Sequence, residues 1–334
     1  MKITYFYNEE WEQGYVRERL PGQEITFLKG TVQDHHELHG SDAEVVSMFV
    51  NSHVSKKELD QFPNLKHVAT RSTGFDHIDT AETKARNISV SYVPAYGENT
   101  VAEFAVGLVL TLSRKINECA KRVQEEGLFS QDGLRGFDLK GRTVGVLGTG
   151  RIGAHFIKMM KGFDVKIVAF DAFPKENLAQ ELGFTYMSLE EVLAQADVVS
   201  VHLPYMPETH HILNKKNLMK MKKGSVLVNT ARGALVETEG LVHALKEGVL
   251  AGVGLDVLEE EGFIDDETKL LFGGHPKKDV LKTTLENHYL IEHPAAIITP
   301  HNAFNTEEAI KRILDTTTDN ILAFSRGEGK NLIP

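Results

Sequence analysis

The stretch TVGVLGTGRIGAHFIKMMKGF, residues 143–163, decides how this chain is read. An apolar, strand-like segment (143–147) runs into a G-x-G-x-x-G turn, Gly148, Gly150 and Gly153, and then into apolar residues at helical spacing. The six-residue pattern alone is weak, and the strand before it and the helix after it make it specific. The first glycine permits a tight turn, the second lets a pyrophosphate approach the backbone, and the third lets the helix close on the strand. A helix N-terminus then offers unpaired N–H groups and the positive end of its dipole to phosphate. The next strand-like run, VKIVAFD (165–171), ends on Asp171, 18 residues past Gly153. A carboxylate there accepts hydrogen bonds from ribose hydroxyls and repels a 2′-phosphate, so the expected cofactor is NAD rather than NADP. The plainer reading of Asp171 is a surface cap on the following helix.

Outward from this core, short apolar runs alternate with helical patterns over almost the whole length, which predicts an α/β fold. Strands are expected at 3–7, 44–50, 65–70 and 88–93, and again at 143–148, 165–171, 197–203, 225–231, 251–257 and 296–300. Several are apolar without alternation, as parallel strands covered on both faces should be. The stretch 100–124 is apolar nearly all round and reads as one buried helix. The glycine-rich segment 127–141 reads as a loop, and 306–326 as a last amphipathic helix. Residues 259–289 are mixed and without clear period, which marks a surface or functional insertion.

Composition narrows the function classes. The 334 residues carry 37 Lys and Arg against 47 Asp and Glu, a net charge of −10, which argues against a nucleic-acid partner. An anionic substrate would therefore need locally placed positive groups to hold it. No run approaches the ~18 apolar residues of a membrane span, and the N-terminus lacks the apolar core of a signal peptide. With a single cysteine, Cys119, the chain reads as cytoplasmic. Histidines at 35, 36 and 39 and at 210–211 lack an accompanying cysteine or carboxylate constellation, so no metal is expected.

Three polar features follow apolar strands near the C-terminus. Arg232, in NTARG (229–233), has the planar fork that grips a carboxylate, although a surface arginine paired with Glu237 or Glu239 would look the same. LDVLEEE (255–261) places acids past a strand, where a solvated helix start is the commoner explanation. TPHN (299–302) places His301 after a strand and a proline. Each alone is ordinary; together they put a guanidinium, a carboxylate and an imidazole at three successive strand ends.

With these segments, RSTGFDHID (71–79), VPAYGENTVAEFA (93–105), GVLGTGRIG (145–153), VHLPYMPETHHILN (201–214), NTARGALV (229–236), AGVGLDVLEEE (251–261) and TPHNAF (299–304), the chain resembles the D-isomer-specific 2-hydroxyacid dehydrogenases over essentially its full length. Within that family it is most similar to the D-lactate subgroup. The resemblance implies two doubly wound, Rossmann-like domains with a cleft between them. A substrate domain would comprise 1–98 and 302–334, and an NAD domain 99–301. It implies catalytic roles for Arg232, which binds substrate, for Glu261 and for the acid/base His301. Thr73 and Gly74 would bind the substrate carboxylate through backbone N–H groups, and Tyr96 would lie near the substrate. Gly148, Gly150, Arg151, Ile152, Gly153, Asp171, Leu203, Pro204, Thr209, Thr230, Ala231 and Asp256 would be cofactor positions. Many members follow the glutamate with proline; here Gly262 follows, and then the insertion. The resemblance further implies a small 2-keto or 2-hydroxy acid as substrate and a homodimer through the cofactor domain and the helix at 100–112. Glyoxylate, hydroxypyruvate and branched 2-keto acids are alternative substrates, since one methylene in a pocket is worth only ~1–3 kcal/mol. A non-catalytic NAD-sensing protein of the same fold is the remaining alternative, against which the complete set of Arg232, Glu261 and His301 argues.

Overall fold

Runs rich in valine, isoleucine and aromatic residues form twelve strands among the described residues, and all pairings between these strands are parallel. The computed structural model describes residues 1–35, 38, 40–263 and 278–333. The chain divides into one unit of Met1–Gly97 with Asn305–Pro334 and a second of Glu98–Phe304.

In the first unit, β1 (Lys2–Tyr7), β2 (Glu24–Lys29), β3 (Val45–Met48), β4 (His67–Thr70) and β5 (Ser89–Ser91) form a sheet in the order β2-β1-β3-β4-β5. One face buries Phe6, Val46, Met48 and Val68 with Leu59 and Phe62. The other buries Ile3, Tyr5 and Val45 with Leu314 and Ile321 of the C-terminal helix Glu307–Ser325, which Thr306 caps. The second unit holds β6 (Thr143–Leu147), β7 (Lys166–Phe170), β8 (Thr185–Tyr186), β9 (Val198–Val201), β10 (Ser225–Asn229), β11 (Leu250–Leu255) and β12 (Ala296–Ile298), ordered β12-β11-β10-β9-β6-β7-β8. Its sheet is also apolar on both faces. Strand order reverses between β6 and β9, and a doubly wound sheet takes its ligand at the carboxyl ends of strands around such a reversal.

Three elements depart from the sequence reading. Strand β2 was not expected: it is an edge strand, paired with β1 alone, and its charged ends Glu24 and Lys29 mask a short apolar centre. The two-residue β8 is too short to signal itself. The helix expected over 100–124 is two helices, Glu98–Arg114 and Ile116–Gln124, broken at Lys115 with φ +51°. The 127–141 loop causes the break by folding back: the Phe137 N–H donates to Ser113 O at 2.8 Å, and Lys115 Nζ reaches Gly133 O at 2.9 Å. Within the 259–289 run, Lys278–Glu292 is a helix that buries Thr284, Asn287 and Leu290. Polar residues on its buried face explain why its period was hard to see.

In the first unit, His67 makes stability pH-dependent. It is 1% exposed, lies between the hydroxyls of Ser89 (2.8 Å) and Ser91 (2.9 Å), and stacks on Phe324 at 4.5 Å. Burial pushes its pKa down to about 4. The unfolded chain, with histidine near 6.5, therefore binds an extra proton between these values, and stability is full above pH ~6.5 and falls as pH drops toward 4. The loss from this residue is about 3 kcal/mol at ~1.4 kcal/mol per unit. Urea midpoints at pH 7.5 and 5 should differ less in His67→Asn than in the wild type; equal slopes would assign the acid sensitivity elsewhere.

Candidate active site

The residues singled out in the second unit lie beyond the carboxyl ends of its strands. Gly148 to Gly153 follow β6, Asp171 follows β7, Leu203 to Thr209 follow β9, and Thr230 to Arg232 follow β10; Asp256 and Glu261 follow β11, and His301 follows β12. The glycine turn is shaped for a dinucleotide. Gly148 has φ +95°, and a Cβ there would stand 2.7 Å from His202 O. At Gly153 a Cβ would meet Gly148 O at 2.0 Å, which no side chain survives. A Cβ at Gly150 would meet no protein atom within 4 Å, so the space over the N-terminus of helix Arg151–Met160 is clear, and no side chain caps that helix. At the end of β10, Thr230 Oγ1 is buried with no hydrogen-bond partner among the described residues. An open helix start and an orphaned buried hydroxyl fit a bound dinucleotide.

Asp171 is locked in place. Its Oδ2 accepts from Thr149 N (2.7 Å) and Thr149 Oγ1 (2.8 Å), its Oδ1 accepts from Phe173 N (2.9 Å), and Tyr186 OH lies 2.7 Å from Thr149 Oγ1. Nothing in the sequence singled out Thr149 or Tyr186, because a motif reading treats both as spacers. A fixed carboxylate is a rigid barrier to a 2′-phosphate. Asp171→Ala should accordingly raise kcat/KM with NADPH by about tenfold or more, one charge-assisted interaction being worth ~1.5–3 kcal/mol. A variant as blind to NADPH as the parent would refute the ribose role. Other expected cofactor positions brace loops: Thr209 Oγ1 donates to Pro204 O and accepts from Met206 N, both at 2.8 Å, Arg151 pairs with Glu98 at 3.4 Å, and Leu203 is buried.

The three polar features of the sequence follow the neighbouring strands β10, β11 and β12, and two of them, Glu261 and His301, are in contact. His301 Nδ1 lies 2.9 Å from Glu261 Oε1. A carboxylate can only accept, so Nδ1 carries the proton and Nε2 is left for exchange. His301 has φ +49°, a left-handed backbone held by its N–H on Asp256 O at 2.8 Å. Asp256 is 1% exposed and ties down the next turn: Oδ1 accepts from Thr299 Oγ1 (2.5 Å) and Asn302 N (2.8 Å), and Oδ2 accepts from Ala303 N (2.8 Å). Burial is the first cause of its raised pKa, which those bonds oppose. Arg232 sits in a turn knitted by Asn229, whose Nδ2 donates to Arg232 O (2.8 Å) and whose Oδ1 accepts from Ala231 N (3.0 Å). Its Nη1 donates to Ala231 O at 2.8 Å.

In the first unit, Thr73 and Gly74 follow β4 and Tyr96 follows β5. Thr73 Oγ1 donates to Val93 O (2.8 Å), Ser72 Oγ to Gly74 O (2.6 Å), and Arg312 Nε to Tyr96 O. The amides of Thr73 and Gly74 meet no acceptor among the described residues. Beneath them Arg71 is buried in an ion pair with Glu12 and donates to Tyr5 OH at 3.0 Å, which anchors the loop. No group of three His, Cys, Asp or Glu side chains among the described residues is placed to hold a metal. His210 and His211 stack on each other at 3.9 Å, and His36 and His39 lie outside the described residues.

Residues 106–303 match the family model for the D-isomer specific 2-hydroxyacid dehydrogenase NAD binding domain. The chain belongs to this family. Along its length it is similar to the D-lactate dehydrogenase of Escherichia coli K12, at 33% identity over 98% of both chains. It is 36% identical to a glyoxylate reductase of Thermofilum pendens, covering 86% of this chain and 80% of that one. The structure of an Aquifex aeolicus D-lactate dehydrogenase complexed with NAD and lactic acid superposes with a TM-score of 0.86 at 34% identity, covering 98% of this chain and 96% of that one. As a member of the family, this dehydrogenase is an NAD-dependent oxidoreductase of 2-hydroxy acids. No helix among the described residues is long and apolar enough to cross a membrane.

Proposed function

We propose that this dehydrogenase reduces pyruvate to D-lactate, with His301 as proton donor, Glu261 as its partner and Arg232 as the substrate clamp. The observation that carries the reading is the hydrogen bond between His301 and Glu261 on strand ends adjoining the Arg232 turn. When bound, the reduced nicotinamide supplies a hydride to the keto carbon. His301 gives its Nε2 proton to the carbonyl oxygen and recovers one from solvent, and Glu261, bonded to the ring at Nδ1, aims Nε2 for that transfer. Arg232 holds the substrate carboxylate in its fork and draws charge toward the carbonyl oxygen. On the same reading the amides of Thr73 and Gly74 bind the substrate carboxylate and Tyr96 lies near the substrate, a reading that family likeness supports. The cofactor is assigned to the glycine turn, Arg151, Ile152, Asp171, Leu203, Pro204, Thr209, Thr230, Ala231 and Asp256. The likeness to the Escherichia coli and Aquifex aeolicus enzymes supports lactate as the product.

A panel of pyruvate, glyoxylate, hydroxypyruvate and branched 2-keto acids with NADH tests this. Pyruvate should give the highest kcat/KM, with D-lactate the only enantiomer formed; a preference for glyoxylate would move the chain toward the glyoxylate reductases. The same reading includes a homodimer in the cytoplasm. Helix Ile116–Gln124 buries none of its residues, and exposed Ile116, Val123, Leu128 and Phe129 support a second copy there rather than at 100–112, whose apolar residues are largely used within the unit. A solution mass of 37.2 kDa would dispose of the dimer.

A further inference from the structure

We infer that Glu259, with His211 and Thr238, forms a positioning site that aims Glu261 at His301; the inference rests on the reading of those two residues as the proton-handling pair. The sequence offers three consecutive glutamates, and the fold gives them different tasks. Glu259 is nearly enclosed, its side chain 13% exposed. One oxygen lies 2.5 Å from His211 Nε2, and the other accepts from Thr238 N (2.7 Å) and Thr238 Oγ1 (2.6 Å) at the start of helix Thr238–Lys246. Its carbonyl accepts from the buried Asn287 Nδ2 at 2.6 Å. The residue is thus pinned from three separate segments of chain.

That pin bears on the reacting groups through very little backbone. Glu260 follows in a left-handed conformation, φ +53°, which turns the chain back on itself. Glu261 then returns, its Oε2 accepting from Leu258 N (3.3 Å) while Oε1 meets His301 Nδ1 (2.9 Å). On the other side, Gly233 packs directly on the same backbone. A Cβ there would stand 2.1 Å from the Leu258 carbonyl and 2.4 Å from Glu259 N. Loosening Glu259 therefore frees the peptide segment that aims Glu261 and supports the turn carrying Arg232. The other charge that feels Glu259 is Glu286, whose carboxyl is raised first by burial and also by Glu259. Glu259 itself is spoken for by its own hydrogen bonds and touches no reacting atom, so its effect must pass through its neighbours.

The test uses the full chain with NADH and measures keto-acid reduction from pH 5.5 to 9.5 in E259A, E261Q and the double variant. A residue acting through Glu261 should cost about 10- to 100-fold in kcat when removed, the range for displacing a catalytic group by about an ångström. NADH affinity should stay within about twofold of the parent. The alkaline limit of reduction should move to lower pH in E259A, in the same direction as in E261Q, and E259A should cost little more once E261Q is present. Equal losses from E259A in both backgrounds, or an unshifted pH profile, would make Glu259 a plain structural brace and overturn the inference. An unshifted profile in E261Q would sink the reading of the pair itself, a distinct result. If E259A does not fold, H211N, whose asparagine tolerates the φ of +49° at that site, carries the same comparison.

Discussion

Replacing His301 with asparagine should lower turnover of keto-acid reduction by roughly 10²–10⁴-fold, the usual worth of a general acid, while leaving NADH affinity close to the parent's. Asparagine is the informative choice because of the backbone. At φ +49°, alanine adds strain that asparagine largely avoids, so an asparagine variant separates lost chemistry from a shifted loop. The loop has its own restraints: His301 N donates to Asp256 O, and the Asp256 carboxylate holds the amides of Asn302 and Ala303. What the substitution removes is the ring bonded to Glu261, the proton donor of the proposed mechanism. The pair is partly exposed, 29% for His301 and 45% for Glu261, so it adds under about 1 kcal/mol to stability. An unfolding midpoint near the parent's, with turnover collapsed, is therefore the expected signature. Near-normal turnover would remove His301 from the mechanism.

Much of this arrangement was legible in the chain because each piece has a local cause. The glycines announce themselves since Gly148 and Gly153 leave no room for a side chain. Asp171 is found by counting, because a strand of fixed rise must end near there. Arg232, the run of acids at 259–261 and His301 stand out as polar residues just past apolar strands, and only the family resemblance picks Glu261 from that run. Less legible was whatever depends on distant neighbours. Strand β2 exists because β1 offers it an edge, and the break at Lys115 exists because residues 133–137 fold back on the helix end. The separate tasks of Glu259 and Glu261 were invisible in a run of three glutamates, for they depend on His211 and Thr238, contributed from elsewhere in the chain. Asp256 shows the same limit. Its motif says nothing of the turn it holds, in which its oxygens accept from Thr299, Asn302 and Ala303.

Replacing Arg232 with lysine should weaken kcat/KM for the keto acid by about 10- to 200-fold, the loss of one charge-assisted hydrogen bond worth ~1.5–3 kcal/mol. Lysine keeps the charge that a chain of net −10 needs near an anionic substrate, and gives up only the planar fork. The division of the loss between kcat and KM reports what the fork does. An arginine that merely grips the carboxylate binds ground and transition states alike, and its loss raises KM alone. One that also draws charge onto the carbonyl oxygen lowers kcat as well, and Arg232→Ala should then cost about 10³-fold or more overall. We expect both constants to move. The turn itself should survive, because Asn229 holds it through the Arg232 carbonyl and the Ala231 amide, backbone groups that any residue at 232 retains. Wild-type keto-acid kinetics in the lysine variant would return Arg232 to the role its 2.8 Å bond to Ala231 O already gives it, a side chain closing its own turn.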